Sequence, residues 1–155
     1  MVRSFITHML RHLMRRGRHE RGAAMVETAI TLPLVLLVSV AIFEFGHAFQ
    51  TWQILTNAAR EGARVAVIQG STNATVISRV QEYLTAGLVA SPGSAGVSIN
   101  RSVTISGTAG LATSVTVTYP FQFIVLQPVV QLMFPSATLG QAISMQALAT
   151  MRNEV

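Results

Sequence analysis

The sequence predicts an α+β protein: a long N-terminal transmembrane and stem helix, then a small head in which one helix packs on an antiparallel sheet. Three observations predict it. An apolar run of membrane-spanning length, Ala23 to Phe45, follows a dense cluster of arginines. Helical periodicity continues beyond that run to about Ile68. Alternating strand patterns then fill most of the chain after residue 96. The boundaries that follow are a basic leader at 1–22, a transmembrane and stem helix at 23–68, and an α+β domain at 69–155.

The leader carries the charge. Residues 1–22 hold six arginines and one glutamate, a net +5, while the remainder holds five arginines and five glutamates. This asymmetry follows the positive-inside pattern and places the N-terminus in the cytoplasm, with the C-terminal domain across the membrane. Phe5, Ile6, Met9, Leu10 and Leu13 recur at helical spacing, which suits a short amphipathic helix on an anionic leaflet. His8 and His12 are four apart but lack a third ligand, so no metal is expected. The body is neutral, so nucleic acid is not an expected partner despite a pI of about 11.4.

Twenty-three residues from Ala23 to Phe45 make roughly 34 Å of helix at about 1.5 Å per residue. That is enough to cross a hydrocarbon core of about 30 Å with some tilt. The run is longer than a secretory signal, and no convincing small-residue cleavage site follows it. Phe45, Phe49 and Trp52 instead suggest an aromatic belt at the far interface. Pro33 removes one helical donor, which membrane helices tolerate. Glu27 and Glu44 are the two formal charges in the run. Glu44 lies near its far end, where it can reach headgroups or meet a neighbouring subunit.

The stem shows a stripe of Trp52, Leu55, Ala59, Ala63 and Ala66, and a second file of small residues at Ala58, Gly62 and Ala66. Such files let helices approach closely, so the stem is expected to offer a contact for other subunits. Arg60 and Arg64 share a face, and Glu61 stands three residues before Arg64, at the spacing of a weak surface ion pair. Beyond a break at Gly70-Ser71-Thr72-Asn73, Thr75–Leu88 reads as an amphipathic helix. Val97–Asn100, Ser102–Ser106 and Ser114–Tyr119 read as strands, with Gly107–Thr113 a hairpin loop and Pro120 an end or a bend. Phe121–Met133, followed by Phe134-Pro135, is apolar but short and broken by Pro128, so it reads as buried, membrane-surface or partner-docking rather than as a second span. Ile143, Met145, Ala147, Ala149 and Met151 alternate as a closing strand.

Gly22 and Glu27 at the basic/apolar junction form a Gly-x4-Glu arrangement that resembles the processing site of type IV prepilins and pseudopilins. A cut between Gly22 and Ala23 would place a new amine about one helical turn from Glu27. The basic leader, Gly22-Ala23-Ala24-Met25-Val26-Glu27, Leu32-Pro33-Leu34, Glu44-Phe45-Gly46 and Ala59-Arg60-Glu61-Gly62-Ala63-Arg64 together resemble the TadE-like family. These are minor pilin-like proteins of bacterial tight-adherence (Tad/Flp) pilus systems. Val117–Phe121 and Ala149–Glu154 look similar to the family more weakly. Thr28 stands where major Flp pilins have tyrosine, and the large C-terminal region also departs from them.

The resemblance implies a single-pass protein of the bacterial inner membrane with a periplasmic domain, cleaved after Gly22 by a prepilin peptidase. It implies a minor pilin or pseudopilin acting in pilus assembly and adhesion. Its partners would then be the membrane, other Tad minor pilins and the major Flp pilin. Two alternatives stay open: an uncleaved membrane-anchored assembly factor, and a secreted soluble domain cut near Ala48. The stem motif Ala59–Arg64, the membrane-exit residues Glu44, Gly46 and His47, and the assembly contact Glu27 are the candidate site residues.

Catalysis is not expected. With no cysteine, thiolate chemistry and cysteine metal sites are excluded. His47 and Glu44 stand at i and i+3 without a nucleophile or third ligand, and no phosphate-loop, dinucleotide or hydrolase motif is present. No cofactor or small-molecule substrate follows from the residues.

Overall fold

The computed structural model describes residues 2–105, 108–133, 136 and 140–153. Helix α1 (Val2–Ala66) precedes α2 (Asn73–Ala86), a 3-10 turn at Pro92–Ser94, β1 (Gly96–Ile105), β2 (Thr108–Phe121), α3 (Leu126–Met133) and β3 (Ile143–Arg152). The chain forms two compact units, Met1–Ile42 and Phe43–Val155. The expected α+β plan is the one observed: a long apolar helix, then a helix packed on a three-stranded antiparallel sheet of order β1-β2-β3.

The first unit is helical. From Gly22 onward α1 is long and apolar enough to cross a membrane, and none of its most apolar window is buried within the protein. Met25, Ile30, Leu34 and Leu36 stand exposed, as side chains meant for lipid do. Its hydroxyl groups are satisfied along the helix: the Thr28 hydroxyl donates to Ala24 O at 2.8 Å and Ser39 to Val35 O at 2.8 Å. The helix continues through Pro33.

In the second unit the core is built where the stem meets α2 and the sheet. Leu55, Ala58, Ala59, Ala63 and Ala66 of α1 are buried, with Val76, Val80 and Leu84 of α2 and Val115 and Val117 of β2. Small stem residues are required because α2 lies against them. A Cβ built on Gly62 would stand 2.6 Å from Val80 Cγ2 and 3.2 Å from Val115 Cγ1. Apart from exposed Trp52, both expected stem files are therefore filled by the protein's own head. The expected subunit contact through Ala58, Gly62 and Ala66 gives way to an intramolecular one.

Helix α2 starts at the Thr72 cap, whose hydroxyl accepts from Thr75 N at 3.2 Å. It ends in paired reverse bonds, Val89 N to Leu84 O at 3.2 Å and Leu88 N to Thr85 O at 3.1 Å, with Leu88 in the left-handed region at φ 57°. Glycine usually holds that left-handed place. Here the glycine stands one residue earlier, because a Cβ at Gly87 would lie 2.6 Å from Ile54 Cγ2.

The strands run longer than their patterns suggest. Val97–Asn100 and the expected strand from Ser102 fuse into one β1 that is described to Ile105, with a register irregularity between Asn100 and Val103; Ser106 lies outside the described residues. Thr108–Thr113, expected in a loop, belongs to β2. Pro120 does not end β2. It pairs with Ser144 of β3, and pairing with β1 has already stopped at Thr118, so no ladder donor is missed. The stem helix ends at Ala66 rather than Ile68. Gly107, Phe134, Pro135 and Glu154 lie outside the described residues.

Candidate functional site

The sequence nominates three places: the junction Gly22/Ala23 with Glu27, the stem motif Ala59–Arg64, and the membrane exit at Glu44, Gly46 and His47. The structure gives each a different character.

The junction is open. Gly22, Ala23 and Glu27 are all exposed. A Cβ at Gly22 would meet nothing within 4 Å. Glycine inside a helix costs about 1 kcal/mol relative to alanine, and no packing within the chain requires it here. The Glu27 backbone carbonyl accepts from the Thr31 hydroxyl. Its carboxylate has no hydrogen-bond or ion-pair partner among the described residues.

The stem motif divides by face. Ala59, Gly62 and Ala63 point into the core, while Arg60 is exposed. Glu61 lies between and is the hub of a charge network that reaches a second helix. Arg64 donates Nε to Oε2 at 2.9 Å and Nη2 to Oε1 at 2.8 Å. Arg79 of α2 donates Nε and Nη2 to Oε1 at 3.0 and 2.9 Å, and its Nη1 reaches Glu82 at 3.0 Å. The two guanidinium groups, Arg64 first, hold the Glu61 carboxyl down to about 2. Glu61 in turn raises the pKa of both arginines. The expected i, i+3 pair is present, but Arg79 turns it into a clamp between α1 and α2.

Arg101 was not singled out by its sequence and does comparable work. It donates Nη1 to Ala66 O at 2.7 Å, Nη2 to Ser71 O at 3.0 Å and Nε to Asn73 Oδ1 at 3.2 Å. A cation thereby closes the negative end of the stem helix and fixes the turn into α2. Only the fold reveals it, because its partners lie about thirty residues away.

At the membrane exit, Glu44 is 4% exposed. Its Oε1 accepts from the backbone N–H groups of Val125, by a short bond, and Leu126, at 3.3 Å. Glu44 thus caps the start of α3 with a carboxylate, the charge that a helix N-terminus favours. Its Oε2 has no partner among the described residues. Gly46 faces open space.

The His47 ring lies 5.2 Å from Phe121, and Phe45 stacks edge-on against Phe123 at 6.2 Å. A cleft of about 500 Å³ opens between His47 and Thr51 of the stem, Ser91 and Ser94, and Tyr119 and Gln122 at the end of β2. The Tyr119 hydroxyl donates to Ala90 O there. Among the described residues, no three histidines, cysteines or carboxylates converge as a metal site.

Residues 22–64 match the family model described as TadE-like protein, which includes the junction, the apolar run and the stem motif. No curated protein and no solved structure matches the chain.

Proposed function

Proceeding from the match of residues 22–64 to the TadE-like family model, we propose that the protein is a structural component of a Tad pilus system, a minor pilin or pseudopilin of a Tad (Flp) pilus. The single apolar helix fits a single-pass membrane anchor. In this reading the arginine-rich leader stays in the cytoplasm and the head lies in the periplasm of the bacterial cell. A prepilin peptidase cuts between Gly22 and Ala23, and the apolar helix then joins other Tad minor pilins and the major Flp pilin in assembly and adhesion.

The observation that carries the reading is the junction. Gly22 stands inside α1, and a Cβ there would meet nothing within 4 Å among the described residues, as expected where a protease, rather than packing, demands the small residue. Glu27 presents a solvent-open carboxylate without a partner among the described residues. An amine freed at Ala23, its own or a neighbour's, would pair with it inside a low-dielectric assembly, where a lone carboxylate is costly.

A second reading, an uncleaved membrane-anchored assembly factor, is favoured by the stem. Its small-residue file is already sealed within the head, so less of α1 is left for packing in a filament.

Intact mass and N-terminal sequence of the protein from native membranes, with and without the peptidase, separate the two. Maturation predicts a start at Ala23, lost in Gly22→Leu. A start at Met1 in cells that hold an active peptidase refutes the pilin reading and leaves the anchored factor. Glu27→Ala is expected to be processed normally yet to impair pilus formation.

A further inference from the structure

The head is electrically polarised along the stem. Between Arg101 and Arg152 the chain has no charged residue at all. Six charges of the folded head gather at one level: Arg60, Glu61 and Arg64 on the stem, Arg79 bonded to Glu61, Glu82 bonded to Arg79, and Arg101 bonded to the carbonyl of Ala66; Arg152 stands at the end of β3, opposite Ala112. Sixteen residues of helix separate Arg60 from Glu44, about 24 Å. At the Glu44 end, among the described residues, the titratable side chains are Glu44 itself, which is buried, His47 and the Tyr119 phenol.

That uncharged end is also apolar on its surface. The hydrogen bonds from Val125 and Leu126 to Glu44 bring the start of α3 to the level of residue 44 on the stem. There Ile124 is 69% exposed and Val125 42%, and Pro128 one turn later is exposed as well. The stem contributes exposed Phe45, Phe49 and Trp52 at and just above the same level.

Chain continuity decides what covers this surface. The apolar run ends at Phe45, and about twenty residues counted from Thr28, the first after Glu27, end at His47. Either count puts Glu44, and with it the start of α3, inside the hydrocarbon boundary by up to about 5 Å. That is the depth at which interfacial helices lie. Leu88, also exposed, follows Gly87 at the level of Ile54. Ten residues above Glu44, about 15 Å, it is beyond the interface. We propose that the head is seated on the outer leaflet through Ile124, Val125 and Pro128, with Phe45, Phe49 and Trp52 completing the apolar end, so that α3 is a second, non-spanning membrane contact. The proposal rests on the reading that residues 23–45 span the membrane.

The absence of cysteine makes single-site labelling direct. Full-length Ile124→Cys, Leu148→Cys and Leu36→Cys are each labelled with a polarity-sensitive fluorophore. They are reconstituted at one chain per nanodisc of phosphatidylethanolamine and phosphatidylglycerol. Leu148 is an exposed apolar residue on β3, away from the proposed seat, and Leu36 lies in the spanning run.

Seating predicts blue-shifted emission at Ile124, with quenching by lipids that carry a nitroxide near the headgroup. Leu148 stays water-like and Leu36 is quenched only by deeper nitroxides. An Ile124 probe as water-exposed as that at Leu148, with Leu36 in lipid, overturns the seating and leaves the span intact. A shift at Ile124 that appears only when discs hold several chains assigns the surface to a second copy and overturns the proposal. A water-exposed Leu36 probe removes the span and the seating together.

Discussion

Replacing Gly62 by alanine sets two effects of known size against each other. In an exposed helix, glycine to alanine gains about 1 kcal/mol by propensity. Here the new methyl would stand 2.6 Å from Val80 Cγ2 and 3.2 Å from Val115 Cγ1, where carbon pairs prefer roughly 3.5–4.0 Å. Val80 and Val115 are both fully buried, and β-branched side chains have little rotamer freedom with which to yield. The methyl sits between α2 and β2, so it must push one element or bend the stem. Overpacking of this kind costs about 1–3 kcal/mol. Clash wins over propensity, and Gly62→Ala should lose about 1–2 kcal/mol net.

The detergent-solubilised full chain can be unfolded in urea and followed by the fluorescence of Trp52, its only tryptophan. Limited proteolysis of the head serves as a second probe. Val80→Ala removes the clashing methyl and leaves a cavity, at a cost of roughly 1–2 kcal/mol by itself. In the double variant the methyl added at position 62 occupies that cavity. The two losses should therefore fail to add by about 2 kcal/mol, within the range seen for residues in direct contact. If Gly62→Ala is stabilising, or if the two costs simply sum, the close approach of α1 and α2 at this level is wrong.

Glu44→Ala leaves the amides of Val125 and Leu126 without their acceptor; α3 should loosen by about 1–3 kcal/mol, read as faster hydrogen exchange at those two amides with the stem unchanged. Arg101→Ala removes three hydrogen bonds at the end of α1, so exchange through 67–70 should quicken and the head should lose about 2 kcal/mol. Glu61 is held down to about 2, below its unfolded range. Its contribution to stability is therefore full above about pH 4.3 and is lost as pH falls toward 2; Glu61→Gln should flatten the urea midpoint across that window. Gly46→Ala meets no atom within 4 Å and should leave the isolated protein as stable or slightly more so; a pilus defect would then place Gly46 at a contact between subunits.

The difference between what the sequence disclosed and what it hid has a physical basis in reach. Periodicity is local, so the stem, α2 and the closing strand were legible: the repeats 55-59-63-66 and 76-80-84 are the residues found buried. The Gly22–Glu27 junction stands out in the sequence because its signal is a contrast between neighbouring segments. Partners distant in the chain were not. Glu61 reads as a pair with Arg64 because that spacing lies within one turn; Arg79 joins it from eighteen residues away.

Glu44 is the instructive middle case. Its position continues the buried stripe downward, 44-48-51-55 in steps of four, three and four, and Ala48 and Thr51 are buried too. A stripe that runs into the apolar segment and includes a carboxylate implies that protein, not lipid or water, covers that face. Sequence alone thus carried the information that something packs at Glu44. It could not say that the cover is the start of α3, because a run of thirteen apolar residues broken by Pro128 suits a core, a membrane surface and a docking patch equally. The hydrogen bonds at Glu44 supply that cover. They fix one end of the run against the stem and leave Ile124, Val125 and Pro128 turned outward. The same carboxylate that looks like an anomaly in an apolar run is what holds the start of α3 against the stem.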